Sequence, residues 1–261
     1  MNVELYSLKE IEKIRKACLV VVEVLQRVAE QIKPGISTYD IDMIAREESK
    51  KRGARPAFLN YRPPFSKTPY PAAICVSINS AVVHGLPKKD QIIKEGDLVS
   101  LDFGAIIDGY AGDSAITVAV GKVGQKEEML LKATKEALEE AVKMCVPGRW
   151  VSDITRAIHS TAQKYGVYPV RGLGGHGIGR RVHEEPFIPN NLKDLDKRDV
   201  KLRQGMVVAI EPMFALGTED TMLDGDGWTV HTADKSPSAH FEYTVAITKD
   251  GPMVLTEFRN G

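Results

Sequence analysis

The sequence has no surplus of either charge. Its 35 Lys and Arg are matched by 35 Asp and Glu, for a formal net charge of zero. That balance offers no global attraction to nucleic acid or to an anionic membrane surface. Cysteine is scarce: Cys18, Cys75 and Cys145 are the only three in 261 residues. An odd, sparse set excludes a disulfide framework and fits reduced thiols in the cytoplasm. Long apolar runs are missing, so no segment reads as a membrane span. The opening residues carry Glu4 early and lack an apolar core, so no secretory signal is expected there. Low-complexity tracts are also absent.

What the sequence does have is carboxylates in apolar company. Asp102 closes Leu98-Val99-Ser100-Leu101, and Asp113 precedes the alternating run Ser114 to Val120. Glu211 follows Val207-Val208-Ala209-Ile210, and Glu242 opens Tyr243 to Thr248. His176 lies in the Gly-dense stretch Gly172 to Gly179. Taken singly, an acid at a strand end is usually solvated or caps a turn, and a lone His is usually a surface or core residue. Taken together, four buried carboxylates are tolerable only beside strong positive charge, because burying one isolated carboxylate costs several kcal/mol. Two divalent cations would supply it. A set of oxygen ligands with one imidazole suits manganese, iron, cobalt or zinc rather than a thiolate zinc site. Such a composition is that of a two-metal hydrolytic centre.

The chain also repeats itself. Pro34-Gly35, Asp40-Ile41, Lys51, Gly53 and Pro56 recur 113 residues later as Pro147-Gly148, Asp153-Ile154, Lys164, Gly166 and Pro169. Glu95-Gly96 to Asp102 matches Gln204-Gly205 to Glu211 at an offset of 109. His84-Gly85-Leu86-Pro87 more weakly resembles His183-Glu184-Glu185-Pro186. An offset near 110 is too long for a solenoid unit. The expectation is a single catalytic domain over residues 1–261, with half-repeats at about 8–121 and 125–250 and the site on the seam between them.

Periodicity supports an α+β fold in which helices cover a curved antiparallel sheet. Ser7 with Glu10 forms a capping box, and the helix behind it runs to Ile32 with Leu8, Ile11, Ile14, Cys18, Val21 and Leu25 on its apolar face. Further helices are expected from Ser37 or Thr38 to Arg52, Gln125 to Met144, and Ser152 to Tyr165. Strands are expected at 73–78, 98–103, 115–120, 206–210 and 243–248. Tyr61 to Pro71, with Pro63, Pro64, Pro69 and Pro71, reads as a loop.

The Gly172 to Gly179 stretch could pass for a nucleotide loop, but no helix-forming run follows it. The glycines instead let backbone pack tightly around His176 as a metal ligand. His183 could assist the site or merely lie at the surface. His84, after an apolar strand, could hydrogen-bond a substrate amide or simply be a satisfied strand-end histidine. His159 is given no function, and His231 is expected in a solvated loop. Phe58, Tyr61, Tyr70, Cys75 and Trp228 are core residues by default and pocket candidates only if the metal site exists.

Together these motifs resemble the methionine aminopeptidases of the short bacterial type I class, in the pita-bread metallopeptidase superfamily. The resemblance rests on Val83 to Pro87, Leu101 to Gly104, Gly112-Asp113, Gly175 to Gly179, His183 to Pro186, Ile210 to Met213 and Ser238 to Glu242. It implies a pseudo-twofold domain of two halves. It further implies Asp102 chelating one metal, Asp113 and Glu242 bridging two, and His176 and Glu211 holding the other. Glu211 would double as base and proton shuttle, with His84 and His183 contacting the scissile amide. The methionine side chain would lie among Phe58, Tyr61, Tyr70, Cys75 and Trp228. The implied partners are nascent polypeptide N-termini at the ribosome, acted on by a cytoplasmic monomer, with cleavage favoured when the second residue is small. By that rule Asn2 would leave Met1 in place. Val182 stands where this family often has an aromatic, and His240 where Gln is common. The 61–71 loop is unusually rich in Pro. Two other readings are an Xaa-Pro peptidase of the same superfamily, disfavoured by the short N-terminal part, and a metal-free binding protein, disfavoured by the complete ligand set.

Overall fold

The computed structural model describes residues 3–63 and 66–258. Asn2 and Pro64, invoked above, lie outside them.

Helix α1 spans Leu8–Ala29 and opens as its sequence predicts. The Ser7 hydroxyl accepts from the Glu10 N–H while Glu10 Oε2 accepts from the Ser7 N–H. Two details differ from the periodicity reading. Leu8 is 71% exposed, because the buried stripe begins at Ile11. The helix also stops short of Ile32, where the chain turns towards Pro34. Helix α2 (Thr38–Lys51) is capped by the Ser37 hydroxyl. Helices α3 (Gln125–Lys143) and α4 (Val151–Tyr165) follow in the second half.

All ladder pairs among the described residues are antiparallel. They form one four-stranded sheet, one five-stranded sheet and two of three strands. Strands Leu98–Ile107 and Tyr110–Ala119 form one long hairpin. Both run further than the apolar pattern suggests, so Asp102 and Asp113 lie inside strands rather than at their ends. α1 covers this hairpin: Val21, Leu25 and Val28 pack with Val99, Leu101 and Phe103. At the crossing, a Cβ on Gly112 would stand 2.6 Å from the Cys18 backbone nitrogen, so only Gly allows that approach. Across the molecule, α3 and α4 pack Leu138, Ile154 and Ile158 against Val208 and Ile210. Each such buried aliphatic side chain contributes about 1.5–3 kcal/mol.

The sequence offsets reappear in the backbone. Gly35 and Gly148 both adopt positive φ, 96° and 93°. Their N–H groups donate to Ile93 O and Leu202 O, each at 2.9 Å. Gly53 and Gly166 both sit at φ 66°. Pro56 pairs with Ala105, and Pro169 with Phe214. The strand Tyr110–Ala119 is met by the later part of the chain where Glu242 donates its N–H to Ala115 O at 2.9 Å.

Candidate metal centre

Asp102 and Asp113 are carried by the two strands of the long hairpin, where Gly104 stands opposite Asp113 and Ala115 opposite Asp102. Glu242 reaches the same place through its bridge to Ala115. His176 and Glu211 come from the five-stranded sheet. The strand Gly174–Gly177 pairs His176 with Ala209, and Glu211 follows directly on Val207–Ile210. All five line one cavity. His176 Nε2 lies 3.4 Å from Glu211 Oε1. Ligand atoms of Asp113, His176 and Glu242 all fall within 4.8 Å of one another.

The Gly-dense stretch is built around the strand Gly174–Gly177 and is not a phosphate loop. A Cβ on Gly174 would stand 2.2 Å from Ile188 O, and one on Gly175 2.1 Å from Ala209 O. These glycines let three strands close up around His176.

The electrostatics call for cations. Asp102 Oδ1, Asp113 Oδ1 and Glu242 Oε1 are buried without a hydrogen-bond partner. Burial pushes the Asp102 and Glu211 carboxyls up to about 7. It pushes those of Asp113 and Glu242 well above the usual carboxylate range, with the neighbouring carboxylates adding to the effect. The donors are oxygens and imidazole, and the carboxylates that bear the orphaned oxygens line one cavity. The residues therefore fit divalent cations, which alone would let four adjacent carboxylates stay ionised.

The cavity wall beside this cluster is apolar. Phe58, Tyr61, Tyr70, Cys75 and Trp228 all line it, so the five pocket candidates gather in one place. Tyr70 stacks edge-on to Trp228 and donates its hydroxyl to Gly85 O at 2.8 Å. Cys75 faces Asp102 across the strand pair and marks where the apolar wall meets the carboxylates. Val83 and Pro63, not named as pocket candidates from the sequence, also line it.

His84 and His183 stand at the rim of the same cavity. His84 follows the strand Ala81–Val83 with φ +57°, a region that non-Gly residues seldom adopt. Part of its ring stays accessible, yet the packing around it lowers its pKa to about 4, helped by the charge of His240. His183 Nδ1 lies 2.7 Å from the Tyr61 hydroxyl, and its ring meets His176 edge-on at 4.4 Å. Its surface is exposed, but the dense packing on its inner side, then His176 and His84, drive its pKa well down. The segment bearing it is tied to the start of the chain. The Tyr6 hydroxyl donates to Glu184 at 2.8 Å and accepts from the Arg180 N–H at 3.0 Å.

Two histidines differ from expectation. His231 is not in a solvated loop. It is half-buried in the strand Val230–Thr232, 3.1 Å from the Ser80 hydroxyl, because that strand pairs on both sides. His240, noted in the sequence only as an unusual residue, is 1% exposed and turned to the cluster, with Nε2 3.5 Å from Glu211 Oε2. A signal existed: it stands two residues before Glu242 in an extended stretch, hence on the same side. His159 is not among the residues that line the cavity.

Comparison with known proteins agrees with this geometry. The sequence pattern of metallopeptidase family M24 matches residues 12–249. A methionine aminopeptidase of Aquifex aeolicus is 64% identical over 257 residues, covering 98% of this chain and all of that protein. The methionine aminopeptidase 1 of Mycobacterium tuberculosis is 42% identical, over 96% of this chain and 93% of its own. Among solved structures, the Thermotoga maritima methionine aminopeptidase superposes with a TM-score of 0.92 at 40% identity, covering 98% and 100% of the two chains. The prolidase of Pyrococcus furiosus gives 0.76 at 25% identity, and only 66% of its length is covered.

Proposed function

The chain belongs to metallopeptidase family M24, its activity is metal-dependent removal of an N-terminal methionine, and we propose that Asp102, Asp113, His176, Glu211 and Glu242 hold its cations. The observation that carries this assignment is the gathering of these five side chains around one cavity, with carboxylate oxygens left buried and unpartnered. Four carboxylates balance two dications. The ion could be cobalt, manganese, iron or zinc, since all accept such ligands. Cations held by these residues would keep the carboxylates ionised, polarise the substrate carbonyl and lower the pKa of a nearby water.

The chain's own side chains do the rest. Phe58, Tyr70, Cys75 and Trp228 exclude water around the methionine side chain, with Tyr61 closing the rim. His84 is neutral at pH 7, so its imidazole hydrogen-bonds the scissile amide without adding charge. His183, anchored by Tyr61, stands beside the developing tetrahedral centre. Glu211 takes a proton from the attacking water and passes it to the leaving amine. The catalytic body is one domain over residues 1–261, built of related halves (about 8–121 and 125–250) with the cations on the seam. The substrates are nascent polypeptide N-termini, met at the ribosome by a cytoplasmic monomer.

The test is hydrolysis of Met-Ala-Ser after chelator stripping, then titration with manganese, cobalt, iron or zinc. Activity should vanish and return with two equivalents of cation. Glu211→Gln should lower kcat by about 10³-fold or more while leaving the fold intact. A variant within tenfold of the parent would remove Glu211 from both roles.

A further inference from the structure

Glu211 is bracketed by two imidazoles. His176 Nε2 stands 3.4 Å from Oε1, and His240 Nε2 stands 3.5 Å from Oε2. Resting on the reading of Glu211 as ligand and base, we propose that His240 is a positioning residue whose Nε2–H holds Glu211 Oε2. That contact leaves Oε1 to act together with His176.

Three observations carry the inference. First, His240 is almost fully buried, yet neither of its ring nitrogens has a hydrogen-bond partner. A buried polar ring without partners is costly and calls for a ligand. Two carboxylate oxygens lie within 4.0 Å of Nε2, Glu211 Oε2 at 3.5 Å and Glu242 Oε2 at 4.0 Å. Second, the backbone beneath the ring is locked. Thr117 Oγ1 accepts from the His240 N–H and donates to the His240 C=O, both at 2.8 Å. That hydroxyl in turn lies 2.9 Å from Ser100 Oγ. Because the main chain cannot drift, the ring is aimed by the fold at one carboxylate. Third, the gap is about 0.5 Å longer than an ordinary N–H···O bond, which a small side-chain rotation closes.

A carboxylate that both ligates and moves protons needs its two oxygens distinguished, since free rotation would exchange them. An N–H donor on Oε2 supplies that distinction without adding charge. It also ranks the oxygens, because the one accepting the hydrogen bond is the weaker base. The same atoms could instead share an ion, because Glu211, His240 and Glu242 have ligand atoms within 4.8 Å of one another. The experiment separates these cases.

Gln carries its amide nitrogen at about the reach of Nε2, whereas Asn stops near Nδ1. His240→Gln should keep kcat within about threefold of the parent. His240→Asn and His240→Leu should each lower it about 30- to 100-fold with KM little changed. Calorimetric titration with manganese should count two ions in every variant. In the zinc-loaded parent, ¹⁵N-histidine NMR should find Nε2 of His240 protonated, a readout that needs no variant to fold. Full activity in the Asn or Leu variant overturns the proposal, and so does an inactive Gln variant. Loss of one metal equivalent, or an unprotonated Nε2 in the zinc-loaded parent, makes His240 a ligand and overturns it too. Glu211→Gln, assayed alongside, keeps the readings apart. If that variant is inactive while His240→Leu is not, the positioning role alone fails; if it is active, the assignment of Glu211 fails first.

Discussion

Asp113 and Thr244 grip each other between the strands Tyr110–Ala119 and Tyr243–Thr248. Thr244 Oγ1 accepts from the Asp113 N–H at 3.2 Å and donates to the Asp113 C=O at 2.7 Å. Thr117 holds His240 in the same double fashion, and the Ala115–Glu242 bridge lies between the two contacts. Two threonines thus fasten the strands that bring Asp113 and Glu242 together.

Thr244→Val keeps the shape and removes both bonds. Two buried backbone groups lose their partner, at a cost of about 1–3 kcal/mol. The variant should unfold at lower urea concentration and bind manganese more weakly by calorimetry. Unchanged values in both measurements would separate the threonine grip from the metal centre.

Removing the cations should invert the pH dependence of stability. The Asp102 and Glu211 pKa values are raised to about 7 in the folded metal-free protein, against roughly 4 when unfolded. Between those values the folded state binds more protons than the unfolded one, so stability falls as pH rises. The stripped protein should therefore melt at a lower temperature at about pH 8 than at about pH 5. Adding a divalent cation should restore the midpoint most at the higher pH. A stripped protein with a flat profile across that window would contradict the burial of these carboxylates.

Gly175→Ala should damage the centre without touching a ligand. The added Cβ would lie 2.1 Å from Ala209 O, a backbone atom that cannot swing away. The Gly174–Gly177 strand must then move off Val207–Ile210, taking His176 away from Glu211. Expected are about 1–3 kcal/mol of lost stability and metal affinity reduced about tenfold or more. Wild-type affinity would show that close strand approach is not what places His176.

Discrimination at the second substrate residue can be read with two peptides. One extra side-chain group is worth about 1–3 kcal/mol, roughly tenfold to 200-fold in rate. Met-Ala-X should be cleaved faster than Met-Asn-X by at least that lower factor, and mass spectrometry should find Met1 retained before Asn2. Equal rates with the same metal would point to extra room at the rim, beside Tyr61 and Pro63.

The sequence by itself determined the helices, through apolar periodicity and, for the first two, capping residues, and it picked out the candidate ligand set. Asp102, Asp113, Glu211 and Glu242 were legible because an acid beside an apolar strand is anomalous unless something neutralises it. The internal repeat announced which segments would correspond, and Gly35 with Gly148 and Pro56 with Pro169 took up matching places. Strand limits were less legible. Tyr110–Ala119 begins well before the alternating pattern, since its pairing with Leu98–Ile107 continues through Gly112 and Asp113. Only the tertiary structure decided which atoms meet. The approach of His240 to Glu211, the hold of Thr244 on Asp113 and the contact of His231 with Ser80 all join residues far apart in sequence or on separate strands. Periodicity reports which way a side chain faces along its own element. It carries no information on which other element that face will meet, because strand register and packing settle that.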